Sequence, residues 1–144
     1  MPKFPLNDGL FGQVRALNLP LGHYAITGSG PLGVRGVRQV NEIDMIVDDE
    51  LWDKLALEHR IIKEDNFSRL CVGDDIEIMG EGSFMTQDIE TITVNDQIAD
   101  ADIIDGLPFI KLKYLLHFKQ IMNRPKDQAD IKAIEKLLAT EPKA

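Results

Sequence analysis

The hydrophobic period changes along this chain, and that change restricts the fold more than any single motif does. Residues 41–47, NEIDMIV, alternate: Ile43, Met45 and Val47 point one way, Glu42, Asp44 and Ile46 the other, as in a strand. The end of the chain has a helical repeat instead. Over 111–122, Leu112, Leu115, Leu116 and Lys119 fall on one stripe. Ile131, Ile134, Leu137 and Leu138 give a second helix an apolar side after Pro125, whose missing N–H costs nothing in a first turn. Strands and helices that are each apolar on one side must cover one another. The expectation is an α/β fold: a small mixed sheet flanked by helices, closed by a C-terminal helical pair.

The intervening segments fit this plan. Asn7 or Asp8 is placed to cap a helix over 9–18 carrying Leu10, Val14 and Leu17. Residues 24–27, YAIT, read as a short buried strand broken by Gly28-Ser29-Gly30, with a short helix following Pro31. Asp48 or Asp49 caps a helix over 50–58 with Leu51, Trp52 and Leu55. Strands are expected at 60–63, 68–72 and 75–79, with Gly73-Asp74 turning the last two into a hairpin. Ile76 and Ile78 share one face of the last strand; Asp75, Glu77 and Met79 share the other. Residues 80–98 are the least readable part: Gly80, Gly82, Ser83 and Thr86 read as loop, and residues 87–97 give no clean period. Residues 101–104 and 107–110 read as extended around Asp105-Gly106, and Pro108 favours an edge strand. No repeat, low-complexity tract or linker divides residues 1–144, a length suited to one domain.

Charge removes some functions. With 16 basic and 24 acidic residues the net charge is -8, so the surface on average repels a polyanion. Extensive duplex DNA binding draws much of its affinity from phosphate neutralisation and is not expected; an anionic membrane surface is disfavoured likewise. A nucleotide or one RNA end at a local cluster is compatible. Cys71 is the single cysteine, which excludes an internal disulfide and fits a reducing compartment. The start, MPKFPLND, has no apolar signal stretch, and no window reaches the length of a membrane span, so a cytoplasmic location is expected.

Chemistry concentrates in Gly28-Ser29, Glu42-Ile43-Asp44 and Glu77. Glu42 and Asp44 lie two apart on a strand, so both side chains leave one face about 6.6 Å apart at the backbone. Glu77 comes from a second alternating strand. Carboxylate oxygens suit magnesium or manganese, ions that retain open positions for phosphates and can clamp both oxygens of a phosphoryl or nucleotidyl transfer. The Gly-Ser-Gly turn offers backbone N–H groups and the Ser29 hydroxyl to a phosphate, and Arg35 and Arg38 follow with positive charge. No Gly-Lys-Ser/Thr follows, so this is not a Walker loop. Gly28-x-Gly30-x-x-Gly33 contains Pro31 and lacks a placed ribose-binding acid, so it is not a Rossmann fingerprint.

Plainer readings stand beside these. A Gly-Ser-Gly turn is often only a loop, and acids on a half-exposed strand are often a solvated face. Lys119 can snorkel from the end of its stripe, Lys126 and Asp130 can form an i,i+4 pair, and Asp127 and Asp130 can stabilise a first helical turn. Met79, Phe84 and Met85 can be loop packing. His23, His59 and His117 share no metal spacing, and Cys71 has the apolar neighbourhood of a core residue.

The stretch from Tyr24 to Val47, YAITGSGPLGVRGVRQVNEIDMIV, resembles motif I of the DNA polymerase beta-like nucleotidyltransferase superfamily: Gly-Ser, an intervening helix with a late Arg, then Asp-x-Asp on a strand. Gly28 and Ser29 match its start, Arg38 its late Arg, and Glu42 and Asp44 its two metal-ligand positions; Glu77, within IEI, resembles the third carboxylate. The second half is similar to small bacterial members, including toxin-like proteins of toxin–antitoxin pairs. There GLPFIKLKYLLHFK resembles the helix with a nucleotide-facing lysine, at Lys119, and RPKDQADI resembles the Lys-Asp-x-x-Asp-Ile signature, on Lys126, Asp127 and Asp130. The resemblance spans roughly residues 22–138 and implies the minimal nucleotidyltransferase fold. It further implies a nucleoside triphosphate as substrate, magnesium or manganese on Glu42, Asp44 and Glu77, and transfer of a nucleoside monophosphate to a hydroxyl. The acceptor is left open between a protein side chain and an RNA end, and a small protein partner is implied for toxin-like members. Glu42 and Glu77 stand where the family has Asp, and Lys113 where toxin-like relatives have Glu. One added methylene displaces a metal ligand unless the backbone compensates, so the alternative is a catalytically degenerate binding or interaction module.

Overall fold

The computed structural model describes residues 4–64, 67–80 and 92–140. Their elements run, in order, α1 (Pro5–Ala16), β1 (Tyr24–Thr27), α2 (Gly30–Val34), β2 (Ile43–Val47), α3 (Asp49–Ala56), β3 (Arg60–Glu64), β4 (Phe67–Val72), β5 (Ile76–Met79), α4 (Val94–Ala99), β6 (Asp102–Ile104), β7 (Leu107–Phe109), α5 (Leu112–Met122), a 3-10 turn (Pro125–Asp127) and α6 (Gln128–Thr140). The strands form one mixed sheet in the order β3-β4-β5-β2-β1-β7-β6. β1 and β2 are antiparallel, whereas β2 with β5 and β1 with β7 are parallel; the outer strands on both sides close as antiparallel hairpins.

Alternation along the central strands splits the core into two layers. Ile43, Met45 and Val47 face one side with Tyr24, Ile26, Ile76 and Ile78, where Leu10, Phe11 and Val14 of α1 and Leu51 and Leu55 of α3 cover them. Ala25 and Ile46 face the other side, under Leu32 of α2, Val94 and Ile98 of α4, Leu112 and Leu115 of α5, and Ile134 of α6. Fully burying one such aliphatic side chain contributes roughly 1.5–3 kcal/mol, so each layer fixes which way the strand residues point. Asp44 and Glu77 therefore project from the face that carries α2 and the C-terminal helical pair.

Local differences from the sequence reading have physical causes. α1 begins at Pro5, whose preset φ suits a first helical position, and Phe4 rather than Asn7 or Asp8 is the cap. Asn7 turns inward instead. α3 starts at Asp49, and Asp48 caps it by accepting from Leu51 N at 2.9 Å. Pro108 is not on an edge strand, because β7 lies between β1 and β6. Asp105 (φ 52) and Gly106 (φ 80) make a two-residue hairpin turn that closes on Ile104 and Leu107. The next pair, Ile103 with Pro108, is then of the non-hydrogen-bonded kind, so Pro108 owes no N–H to β6. Within 80–98, Thr93 starts α4 with a capping box to Asp96; Gly82, Ser83, Phe84, Met85 and Thr86 lie outside the described residues.

Candidate metal and nucleotide site

Three adjacent strands bring the carboxylates together. Antiparallel pairing sets Thr27 of β1 opposite Asp44 of β2, and parallel pairing sets Asp44 beside Glu77 of β5. Neighbouring strands lie about 4.8 Å apart, so the end of β1, Asp44 and Glu77 form a row across one face. Glu42 precedes β2 by one residue and is exposed. Glu42, Asp44 and Glu77 each offer an oxygen, and these oxygens lie within 4.8 Å of one another.

Burial and like charge raise the proton affinity of Asp44. Asp44 is pushed up to about 6, first by burial and then by Glu42 and Glu77; Lys119 and Lys126 oppose the shift. The donor set fits a hard divalent cation. It is all oxygen, it converges, and Glu42 is an exposed side chain able to close the remaining distance. A cation there would offset the repulsion that burial aggravates.

Gly28 belongs to this cluster. Its φ is +66, and a Cβ at that position would lie 2.5 Å from Oδ2 of Asp44. Both conformation and space therefore exclude a side chain, and the backbone passes directly against the carboxylate. Ser29 follows as the N-cap of α2, its side chain making no cap hydrogen bond. α2 has only 5 residues, so any favourable field on an anion here comes from the turn's own N–H groups rather than from a long helix dipole.

Arg35, Arg38, Lys119 and Arg124 are held by acidic partners. Arg38 donates from Nη1 to Oδ2 of Asp130 at 2.7 Å and from Nε to the carbonyl of Gln39 at 3.1 Å. Lys119 is buried, with Nζ 3.1 Å from Asp130 and 3.5 Å from Asp127. Arg124 clasps Asp127 through Nε (2.7 Å) and Nη2 (3.0 Å), and its backbone N–H donates to the same carboxylate at 3.2 Å. That clasp holds Asp127 down to about 2, against the effect of its burial. Lys126 is exposed on the 3-10 turn; the partners of Asp130 are Arg38 and Lys119 rather than Lys126. Arg35 bonds the carbonyl of Pro31 at 2.8 Å and pairs with Asp102, tying α2 to β6.

Sequence reasoning missed one member of this neighbourhood and a second cluster at the other end of the β1–β2 pair. Arg69 on β4 pairs with Glu77 at 3.5 Å. A second cluster joins His23, Asp48 and Glu50, with His23 Nδ1 2.6 Å from Asp48 and 3.8 Å from Glu50. His23 reaches Asp48 because β1 and β2 pair antiparallel with Tyr24 opposite Val47. Only that register could have revealed it, since the two residues are distant in sequence.

No family model matches the chain, and no curated protein matches it. Among solved structures it is similar to a Thermotoga maritima protein described as a "putative nucleotidyltransferase". The identity is 19%, the match covers 83% of each chain, and the TM-score is 0.48.

Proposed function

We propose that this chain is a metal-dependent nucleotidyltransferase of the polymerase beta-like kind, moving a nucleoside monophosphate from a nucleoside triphosphate to a hydroxyl acceptor. One observation carries the reading: the oxygens of Glu42, Asp44 and Glu77 converge within 4.8 Å on the sheet face where Gly28 abuts Asp44. Magnesium or manganese held by these residues would neutralise charge on the attacking and leaving oxygens. The Gly28–Ser29 turn would present N–H groups and a hydroxyl to the triphosphate. Arg38 and Lys119 would supply positive charge beside it, Asp127 and Asp130 hold those cations in place, and Lys126 adds charge at the rim. The acceptor oxygen forms a bond to the α-phosphorus, the α–β bridging bond breaks, and pyrophosphate leaves. Glu77, flanking Asp44 on the side away from β1, would assist removal of the acceptor's proton.

A second reading has its own support. Arg38 and Lys119 both engage Asp130, and charges already paired in this way suit a module that binds nucleotide without turning it over. Calorimetry with the four ribonucleoside triphosphates, with and without divalent metal, tests binding. Transfer of α-labelled nucleotide to a cell extract, resolved into protein and RNA fractions, tests chemistry and identifies the acceptor class. Metal-dependent binding with labelling supports the transferase. Binding without labelling of either fraction, over all nucleotides and both metals, supports the module. No metal-dependent binding at millimolar nucleotide refutes both. Co-purification of a small protein together with growth inhibition on expression would extend the reading to a toxin–antitoxin role.

A further inference from the structure

Asn7 is a polar side chain buried to 3% exposure in α1. Both N–H donors and the oxygen of its carboxamide are engaged, and all three bonds go to one short stretch of chain. Nδ2 donates to the carbonyl of Arg38 at 3.0 Å and to that of Gly33 at 3.4 Å, while Oδ1 accepts from Val40 N at 2.7 Å. Gly33 makes the approach possible: a Cβ there would overlap Val40 Cγ2 and lie 3.2 Å from Asn7 Nδ2. The stretch so held, residues 33–40, leads from the end of α2 towards Glu42 and Asp44. Arg38 is thus gripped twice, its backbone carbonyl by Asn7 and its guanidinium by Asp130.

We infer that Asn7 is a positioning residue for Arg38, setting from outside the site where the guanidinium meets the triphosphate. The inference rests on the proposed role of Arg38 at the phosphates. An apolar residue in place of Asn7 would take the Asn7 bond from the Arg38 carbonyl and from Val40 N, while Gly33 O keeps Gly36 N at 3.0 Å; losing those two bonds is a local reason for this segment to shift. Arg38 carries that carbonyl, so its side chain would shift with it. A small displacement of a charged donor is enough to weaken a phosphate contact.

The test is calorimetry with magnesium on the parent chain, Asn7→Ala, Arg38→Gln and the double variant. The probes are whichever of the four ribonucleoside triphosphates binds tightest, and its monophosphate. Arg38→Gln should weaken the triphosphate about tenfold and Asn7→Ala about fivefold, as expected for loss or misplacement of one charged hydrogen bond. The double variant should be no weaker than Arg38→Gln alone, and the monophosphate should change less than about twofold throughout, because the coupled pair acts on one contact. If Asn7→Ala weakens binding equally with and without Arg38, or weakens both nucleotides alike, its role is merely structural and the inference fails. If Arg38→Gln leaves triphosphate affinity unchanged, the assigned role of Arg38 fails, and the inference with it; the metal-site reading is then judged by its own assays. Should Asn7→Ala not fold, Asn7→Asp keeps the shape and the acceptor for Val40 while removing both donors. The same triphosphate-selective loss is expected of it, and unchanged affinity overturns the inference.

Discussion

Asp44 and Asp127 are the same residue type in one protein, and their surroundings push them in opposite directions. Asp44 faces Glu42 and Glu77 and is raised to about 6; Asp127 is clasped by Arg124 and held down to about 2. The region around Asp127 pairs its charges and keeps one positive charge over: Arg38, Lys119 and Arg124 meet Asp127 and Asp130. The strand-borne cluster has three carboxylates at close quarters and, beside Arg69, a surplus of negative charge. A network whose carboxylates are all paired is complete when the chain folds. A cluster of like charges is tolerated at a stability cost, and such sites are where ligands, metals above all, are to be sought. On the proposed function, the C-terminal network is the frame that holds Arg38 and Lys119 for the phosphates, and the strand cluster is the metal site.

The sharpest way to break this contrast is to remove charge from each side. Asp44→Asn should abolish metal-dependent transfer to within measurement, by about 10²–10³-fold or more, and weaken nucleotide binding in magnesium as well. Glu77→Gln keeps the shape and should lower turnover by at least ~10²-fold with a much smaller loss of nucleotide affinity, because its contribution is largest in the transition state. Turnover measured with labelled nucleotide, alongside calorimetry, separates the two. Transfer that persists unchanged in both variants would remove the strand cluster from the chemistry. Gly28→Ala is the third test: it needs φ +66 and places Cβ 2.5 Å from the Asp44 carboxylate. A loss of about 1–3 kcal/mol in stability is expected from the strained backbone, with weaker magnesium binding because Asp44 is displaced. A variant with parental melting and parental magnesium affinity would show that Gly28 does not set the position of Asp44.

The two regions were not equally legible in the sequence. The alternation in NEIDMIV was enough to assign Asp44 and Ile46 to one face, and the alternation of IEI did the same for Glu77. Their convergence needed the strand order, and the parallel pairing of β2 with β5 is written in no local pattern. The apolar stripes of α5 and α6 were readable because each helix is long enough to repeat its period. α4 was not read, since its 6 residues allow little more than one turn, although Thr93 and Asp96 carried a capping signal. The charge network resisted for another reason: Lys126 and Asp130 have helix-neighbour spacing, yet Asp130 pairs with Arg38 and Lys119. Long-range partners win there because α6 packs beside the 35–40 segment and α5. Asn7 showed the same limit, a residue of ordinary capping type whose role was decided by a chain segment more than twenty residues away.

The smallest expected effect is also the most diagnostic, because the two aspartates should leave separate marks on stability against pH. Asp127 has a folded-state value of about 2, below its ordinary 3.8. Its contribution is present above pH 3.8 and is lost as pH falls through about 2. Asp44 has a folded-state value of about 6, above the same 3.8. Here the native state holds the proton more tightly than the unfolded chain does, so the contribution is full below pH 3.8 and is lost as pH rises through about 6. Melting temperatures in the absence of divalent metal should therefore fall on both sides of a window near pH 4, as far as these two groups decide it. Asp127→Asn should remove this component of the acid limb and leave the other; Asp44→Asn should flatten the limb between pH 4 and 6. Magnesium sharpens the distinction. A cation binds the carboxylate form, so the rise in melting temperature on adding magnesium should be near zero below pH 4 and grow as pH passes about 6. It should vanish in Asp44→Asn at every pH and survive in Asp127→Asn. A magnesium-induced rise that is independent of pH, or that disappears with Asp127 rather than Asp44, would reverse the assignment of frame and site.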